Sequence, residues 1–255
     1  MKHIRILFFL ILLRIPVFCQ TPFGNEIIHG QTGGHRLWYQ WEKERQKQIV
    51  FSYDLPYHLK ALSTRLLYYE RPLTKNRLQL GLLQSGTEHY GRWEAWIGVD
   101  RPLQQRVHLR IQMGVQQMVH AEGSAPMDVA ATAQMLFNIN RTNRIGMGLA
   151  VSGFQYGNAL SVGWIHHPDP SWNLIVELSC PNKQPGFLVA ALQYTLLEDF
   201  CFSVAWHSLG QQPSGGLSWI CHPFKLQYNC RIHPSLGFGS NATFIYFLGS
   251  KKRMQ

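Results

Sequence analysis

At 255 residues the chain suits one domain, since all-β barrels of this length do not split. Only 15% of its residues are charged and 13% are aromatic, against about a quarter charged in a soluble domain, so it has less surface that needs water. The formal net charge of +10 is spread singly along the chain, and no helix-turn-helix, zinc-finger or RNA-binding pattern gathers it. Nucleic acid is therefore not an expected partner.

Lys2, His3 and Arg5 precede the apolar run Ile6–Leu13, and Pro16 ends it ahead of Val17-Phe18-Cys19. This is the layout of a secretory signal peptide over residues 1–19, with cleavage expected between Cys19 and Gln20. A membrane anchor would need about 20 apolar residues, and Arg14 interrupts the run. Lipidation at Cys19 is an alternative that the bulky Phe18 disfavours. Cleavage removes Lys2, Arg5 and Arg14, so 24 − 3 = 21 basic residues face 14 acidic ones and the charge falls to +7. Residues 20–47 lack clean alternation and are expected to form an N-terminal periplasmic extension or plug, with Trp38–Arg45 a candidate short amphipathic helix.

From Gln48 onward the period becomes two. Gln48–Asp54 and Ala61–Glu70 are the first candidate strands. Trp93, Ala95, Ile97 and Val99 then alternate with Arg92, Glu94, Gly98 and Asp100. The clearest case sets Val107, Leu109, Ile111, Met113 and Val115 against Arg106, His108, Arg110, Gln112, Gly114 and Gln116. Met127–Ile139, Phe200–His207 and Lys225–His233 repeat it. Successive strand side chains point to opposite faces, so each segment has one apolar face and one polar or small face. At about nine to fourteen residues these segments exceed the usual globular strand of about 5–6 and match the 9–11 of a membrane strand.

Tight connections are expected at Leu73–Asn76, Pro102–Gln105, Arg141–Asn143, Pro168–Ser171, Leu197–Asp199 and around Pro223. Looser ones fall between them, at Ser85–His89, His120–Pro126, Gln155–Asn158, Pro181–Pro185, Gly210–Pro213 and Gly237–Asn241. Membrane barrels alternate short turns on one rim with longer loops on the other. A strand in hydrocarbon must pair every backbone N–H and C=O, which only closure achieves. The expected fold is thus all-β, a closed antiparallel transmembrane barrel of about fourteen strands in an up-and-down meander over residues 48–249, with a basic tail at 250–255. Twelve strands with a larger N-terminal extension, and a soluble secreted β-sandwich, are the alternatives. Glu70-Arg71-Pro72-Leu73 followed by Arg77 is echoed by Asp100-Arg101-Pro102-Leu103 followed by Arg106, which reads as one rim chemistry used twice.

The signal peptide, alternating strands, proline-marked turns and final aromatic strand Phe244-Ile245-Tyr246-Phe247 resemble bacterial outer-membrane β-barrel proteins. With fourteen strands the size is similar to the fatty-acid-transporter-like barrels and the barrels associated with type IX secretion. No family-specific motif accompanies the likeness, and the basic stretch Gly249–Gln255 departs from the usual aromatic C-terminal residue. The resemblance implies a cell outer-membrane location and a non-enzymatic role, as a small pore or transporter or as a scaffold in an envelope or secretion assembly. Outer-membrane lipid, and envelope or secretion-complex proteins, are the partners it implies.

The polar face supplies the candidate site: Arg77, Arg92, Glu94, Asp100, Arg106, His108, Arg110, Asp128, Glu177, Lys225, Arg231 and His233 are expected to line the lumen. They read either as a pore lining with anion preference or as ion pairs filling the interior. A barrel-embedded lipid hydrolase would need a serine and a histidine in contact. His207 with Ser203, and His222 with Ser218, lie about 13 Å apart along a strand, so no catalytic residue is assigned. His166 and His167 point to opposite faces, and no metal site or cofactor is expected. Cys180, Cys201, Cys221 and Cys230 read as single thiols rather than disulfides, without a CxxC metal spacing.

Overall fold

The computed structural model describes residues 46–249 apart from 88, 122, 125–126, 153–157, 170, 183–184 and 209–210. The expected export segment, the candidate helix at 38–45 and the basic tail lie outside the described residues. Antiparallel strands make up almost everything else: β1 Lys47–Leu55, β2 Thr64–Pro72, β3 Arg77–Gly86, β4 Gly91–Gln104, β5 Val107–His120, β6 Gly123–Ser124, β7 Asp128–Asn138, β8 Asn143–Ser152, β9 Ala159–Asp169, β10 Trp172–Pro181, β11 Phe187–Leu197, β12 Phe200–His207, β13 Gln212–Cys221, β14 Phe224–His233 and β15 Gly237–Leu248. Two 3₁₀ turns, Pro56–His58 and Lys60–Leu62, fill the connection between β1 and β2.

Each long strand pairs with its chain neighbour, and the ends meet where β1 runs antiparallel to β15, from Lys47 opposite Leu248 to Leu55 opposite Ser240. The two-residue β6 pairs only with β5 and lies in a loop. The other fourteen strands close into a meander barrel. This is the fourteen-strand arrangement, and neither the twelve-strand alternative nor an open sandwich fits it.

Alternation decides what each face meets. Phe51, Leu82, Met113, Leu149, Leu192 and Leu217 all point outward and are exposed. A water-facing surface would not carry so continuous an apolar band; hydrocarbon would. A ten-residue strand at about 3.4 Å per residue, tilted about 40°, spans about 26 Å, the height of the apolar band of such barrels. Outward aromatics cluster near the short-turn rim, where Trp172 packs on Tyr194 at 4.4 Å and Phe224 lies 5.3 Å from Tyr246. Amphipathic rings at that level form the interfacial girdle of membrane barrels.

Some boundaries differ from the sequence expectation. The tight turn expected at Pro102–Gln105 is instead Gln105–Arg106, because β4 runs through Pro102 to Gln104. A strand end can hold a proline because it has fewer ladder partners to satisfy; the register shift between Pro102 and Gln104 marks the place. The looser connection expected at Gly237–Asn241 is the start of β15, and the chain turns at 234–236. Residues 61–63, expected to open the second strand, belong instead to the 3₁₀ connection and its exit.

Candidate functional site

The inner wall has two sectors. On β2 to β5 it is charged and polar. Arg77 Nη1 lies 3.0 Å from Glu70 on β2, and Arg110 Nη2 lies 3.3 Å from Asp100 on β4. Arg77 and Asp100 are themselves Cα partners, as are Asp100 and Arg110. Glu70, Arg77, Asp100 and Arg110 therefore form a ladder of alternating charge across four strands near the short-turn rim. The Tyr68 hydroxyl donates to Glu70 at 2.6 Å.

The next level is neutral. Gln112 donates to Gln79 at 3.1 Å across Gly98, and Thr132 donates to Gln112 at 3.1 Å. A Cβ on Gly98 would stand 2.8 Å from Gln112 Cγ, so only glycine lets the two amides meet over β4. One step further, Trp96 lies flat on Gly81, whose added Cβ would collide with the indole ring, and packs with Leu66, Leu83 and Tyr68. Above it, Arg92 pairs with Glu94, and Gln116 donates to Asp128 at 2.8 Å. Across the seam the network continues: Ser52 and Thr243 are 2.8 Å apart, Asn241 donates to Ser52 at 3.0 Å, and Arg231 Nη2 lies 2.7 Å from Asp54.

Across β7 to β12 one level of the inner wall is apolar, beside the buried Gln134, Asn173 and Glu177. Leu136, Ile165, Ile175, Ala191 and Ala205 form one almost wholly covered cluster. His167 and Asn173, hydrogen-bonded to each other, and Asn173 with Gln193 at 3.3 Å, edge this sector. The interior is thus packed with side chains rather than wide and bare.

Of the lumen residues expected from sequence, Arg77, Arg92, Asp100, Arg110 and Glu177 are buried on the inner face. Glu94 and Arg231 also face inward, each in an ion pair. Asp128, His108, Lys225 and His233 point inward nearer the rims and are half-buried. Arg106 does not: it sits exposed in the turn after β4. The echoed motif misled there, because the hairpin of β4 and β5 is longer than that of β2 and β3, and Arg110 takes the pairing role at Asp100. Asp54, Glu70 and Trp96 were missed. Glu70 stood in the echoed motif, and Asp54 ended a candidate strand, so both carried a signal.

His166 and His167 point to opposite faces, His166 stacking on Trp164 at 5.5 Å. Among the described residues no three metal-binding side chains gather. His207 stacks on Phe187 at 4.8 Å and His222 lies 5.7 Å from Phe247. Cys180, Cys201, Cys221 and Cys230 are all free thiols.

The closed apolar-out, polar-in meander is the fold of bacterial outer-membrane β-barrels. Among solved structures it is similar to the CymD monoaromatic hydrocarbon channel, with TM-score 0.62 at 8% identity over 86% of this chain and 94% of that one. It is also similar to the Pseudomonas putida toluene transporter TodX (0.59, 9% identity, 83% and 92% covered) and to the Ralstonia pickettii toluene transporter TbuX (0.56, 7%, 82% and 91%). No family model and no curated protein matches the chain.

Proposed function

We propose that this protein is a non-enzymatic outer-membrane pore that passes small solutes along its inner wall. The observation that carries the reading is the closed barrel's reversal of polarity: apolar side chains outside, and charged and amide side chains gathered within. Such a surface is stable only where lipid replaces water around it. The packed interior argues for a narrow route and a small conductance. Because the arginines of the ladder lie against carboxylates, the wall carries little uncompensated charge there, and selectivity between anions and cations is expected to be weak.

The neighbours named for aromatic hydrocarbons and toluene make small apolar solutes the first class to test. Purified protein in planar bilayers should give small discrete current steps, and vesicles containing it should take up small solutes faster than empty ones. A scaffold in an envelope or secretion assembly would have the same barrel without either signal. Protein folded in the bilayer that gives no current and no uptake would remove the pore.

A further inference from the structure

The connection from β1 to β2 does not rise freely from the rim. Beyond Leu55, β14 and β15 extend past the end of β1, since Arg231 to His233 pair with Gly239 to Gly237 while β1 has stopped opposite Ser240. Pro56 and Tyr57 turn into the space this leaves and are buried. Tyr57 and His58 both hold positive φ, 54° and 57°, a conformation that a residue with a Cβ adopts only when its surroundings impose it.

Those surroundings are inner-wall residues of three strands. Gln212 on β13 donates to the Tyr57 hydroxyl at 3.3 Å. The Arg231 guanidinium on β14 stands 6.0 Å from the Tyr57 ring, and His233 meets the ring edge-on at 5.4 Å. Asp54, the last inward residue before the turn, holds Arg231 at 2.7 Å. On β15 a Cβ at Gly239 would come within 3.1 Å of the Tyr57 amide nitrogen, so the turn lies directly on the inner face of that strand. His58 stacks on the outward Phe238 at 5.7 Å. The segment straddles the rim, Tyr57 inside and His58 outside.

We propose that Pro56–His58 is a strap docked in the loop-side mouth, that Tyr57 is the side chain setting the pore's aperture there, and that Arg231, held by Asp54, positions it. This rests on the pore reading and adds to it a specificity-determining residue. Solute passing that mouth must move beside the Tyr57 ring, on the side of the lumen away from β13 to β15.

The test compares the full-length protein with Tyr57→Ala, Tyr57→Phe and Gly239→Ala in planar bilayers, after gel mobility with and without boiling has confirmed that each barrel is folded. Removing the ring widens the mouth, so Tyr57→Ala should raise single-channel conductance by about twofold or more, while Tyr57→Phe, which keeps the ring, stays within the native range. Gly239→Ala keeps the tyrosine but presses a methyl group against the strap, and should raise conductance by less than Tyr57→Ala. Hydrogen exchange gives a reading that needs no current: the amide of Leu59, which donates to the Pro56 carbonyl of the strap, should exchange slowly in the native protein and faster in Gly239→Ala. A native pore whose conductance is unchanged in both Tyr57→Ala and Gly239→Ala overturns the strap while leaving the pore standing. Folded protein that never conducts, in any of the four forms, overturns the pore reading and the aperture with it.

Discussion

Met113 gives the sharpest test of which face lipid wets. It lies mid-strand on β5, points outward, and is 55% exposed beside the outward Ile97 of β4 and Ala131 of β7. Six steps along the strand lead from it to Val107; at about 3.4 Å each and a tilt of about 40°, that puts the strand end about 16 Å away along the barrel axis, so Met113 sits near the midplane. An arginine there has to leave its charge in hydrocarbon, and Met113→Arg should cost about 2–4 kcal/mol. That lowers the folding equilibrium constant by about thirtyfold to a thousandfold. The same change at Val119, on the outward face near the loop-side end, should cost about 0–1 kcal/mol. Urea titration of the protein in lipid vesicles, followed by tryptophan fluorescence, measures both. In water the replacement of an exposed methionine would stay within about 0.5 kcal/mol, so equal stability of Met113→Arg, Val119→Arg and the native protein would refute the lipid-facing assignment.

Three further outcomes follow from the inner wall and the thiols. Arg110→Met takes the guanidinium from the buried Asp100 and should destabilise the barrel by about 3–5 kcal/mol in the same titration, with part of the loss regained in the double variant Asp100→Asn/Arg110→Met; no recovery would mean that the two do not act as a pair. Gly98→Val forces its side chain between Gln79 and Gln112 and should cost about 1–3 kcal/mol, whereas a neutral result would place that amide bridge elsewhere. Gel mobility should be the same with and without reductant, and Cys180, Cys201, Cys221 and Cys230 should all react with a maleimide after unfolding; two protected thiols would reveal a disulfide.

Period-two patterning was enough to read the barrel because in hydrocarbon the polar and apolar faces cannot be exchanged: a one-residue slip along β5 would put Arg110 and Gln112 into lipid. The same rule told inward from outward for His166 and His167, whose neighbours in sequence become opposites in space. It could not choose partners. Whether Arg110 meets Asp100 or another acid depends on the length of the hairpin between β4 and β5, and Pro102, which looked like its turn, is inside a strand. The strap was equally hidden. Positive φ is expected of glycine and asparagine, and nothing in Pro56-Tyr57-His58 announces it; contacts from β13, β14 and β15, over 150 residues away in the chain, impose it. Trp96 could be placed on the lumen side by alternation, but its bed on Gly81 exists only once β3 and β4 are in register.

The seam between β1 and β15 fixes the order in which this molecule can be made. Gln48 is hydrogen-bonded across to the strand carrying Phe247, so the earliest stave to leave the ribosome waits for the latest. Until then both carry raw backbone edges that invite a foreign strand, and a ring joined at its two extremes closes slowly because its decisive contacts span nearly the whole polypeptide. Those edges stay open to foreign strands until the circle is complete.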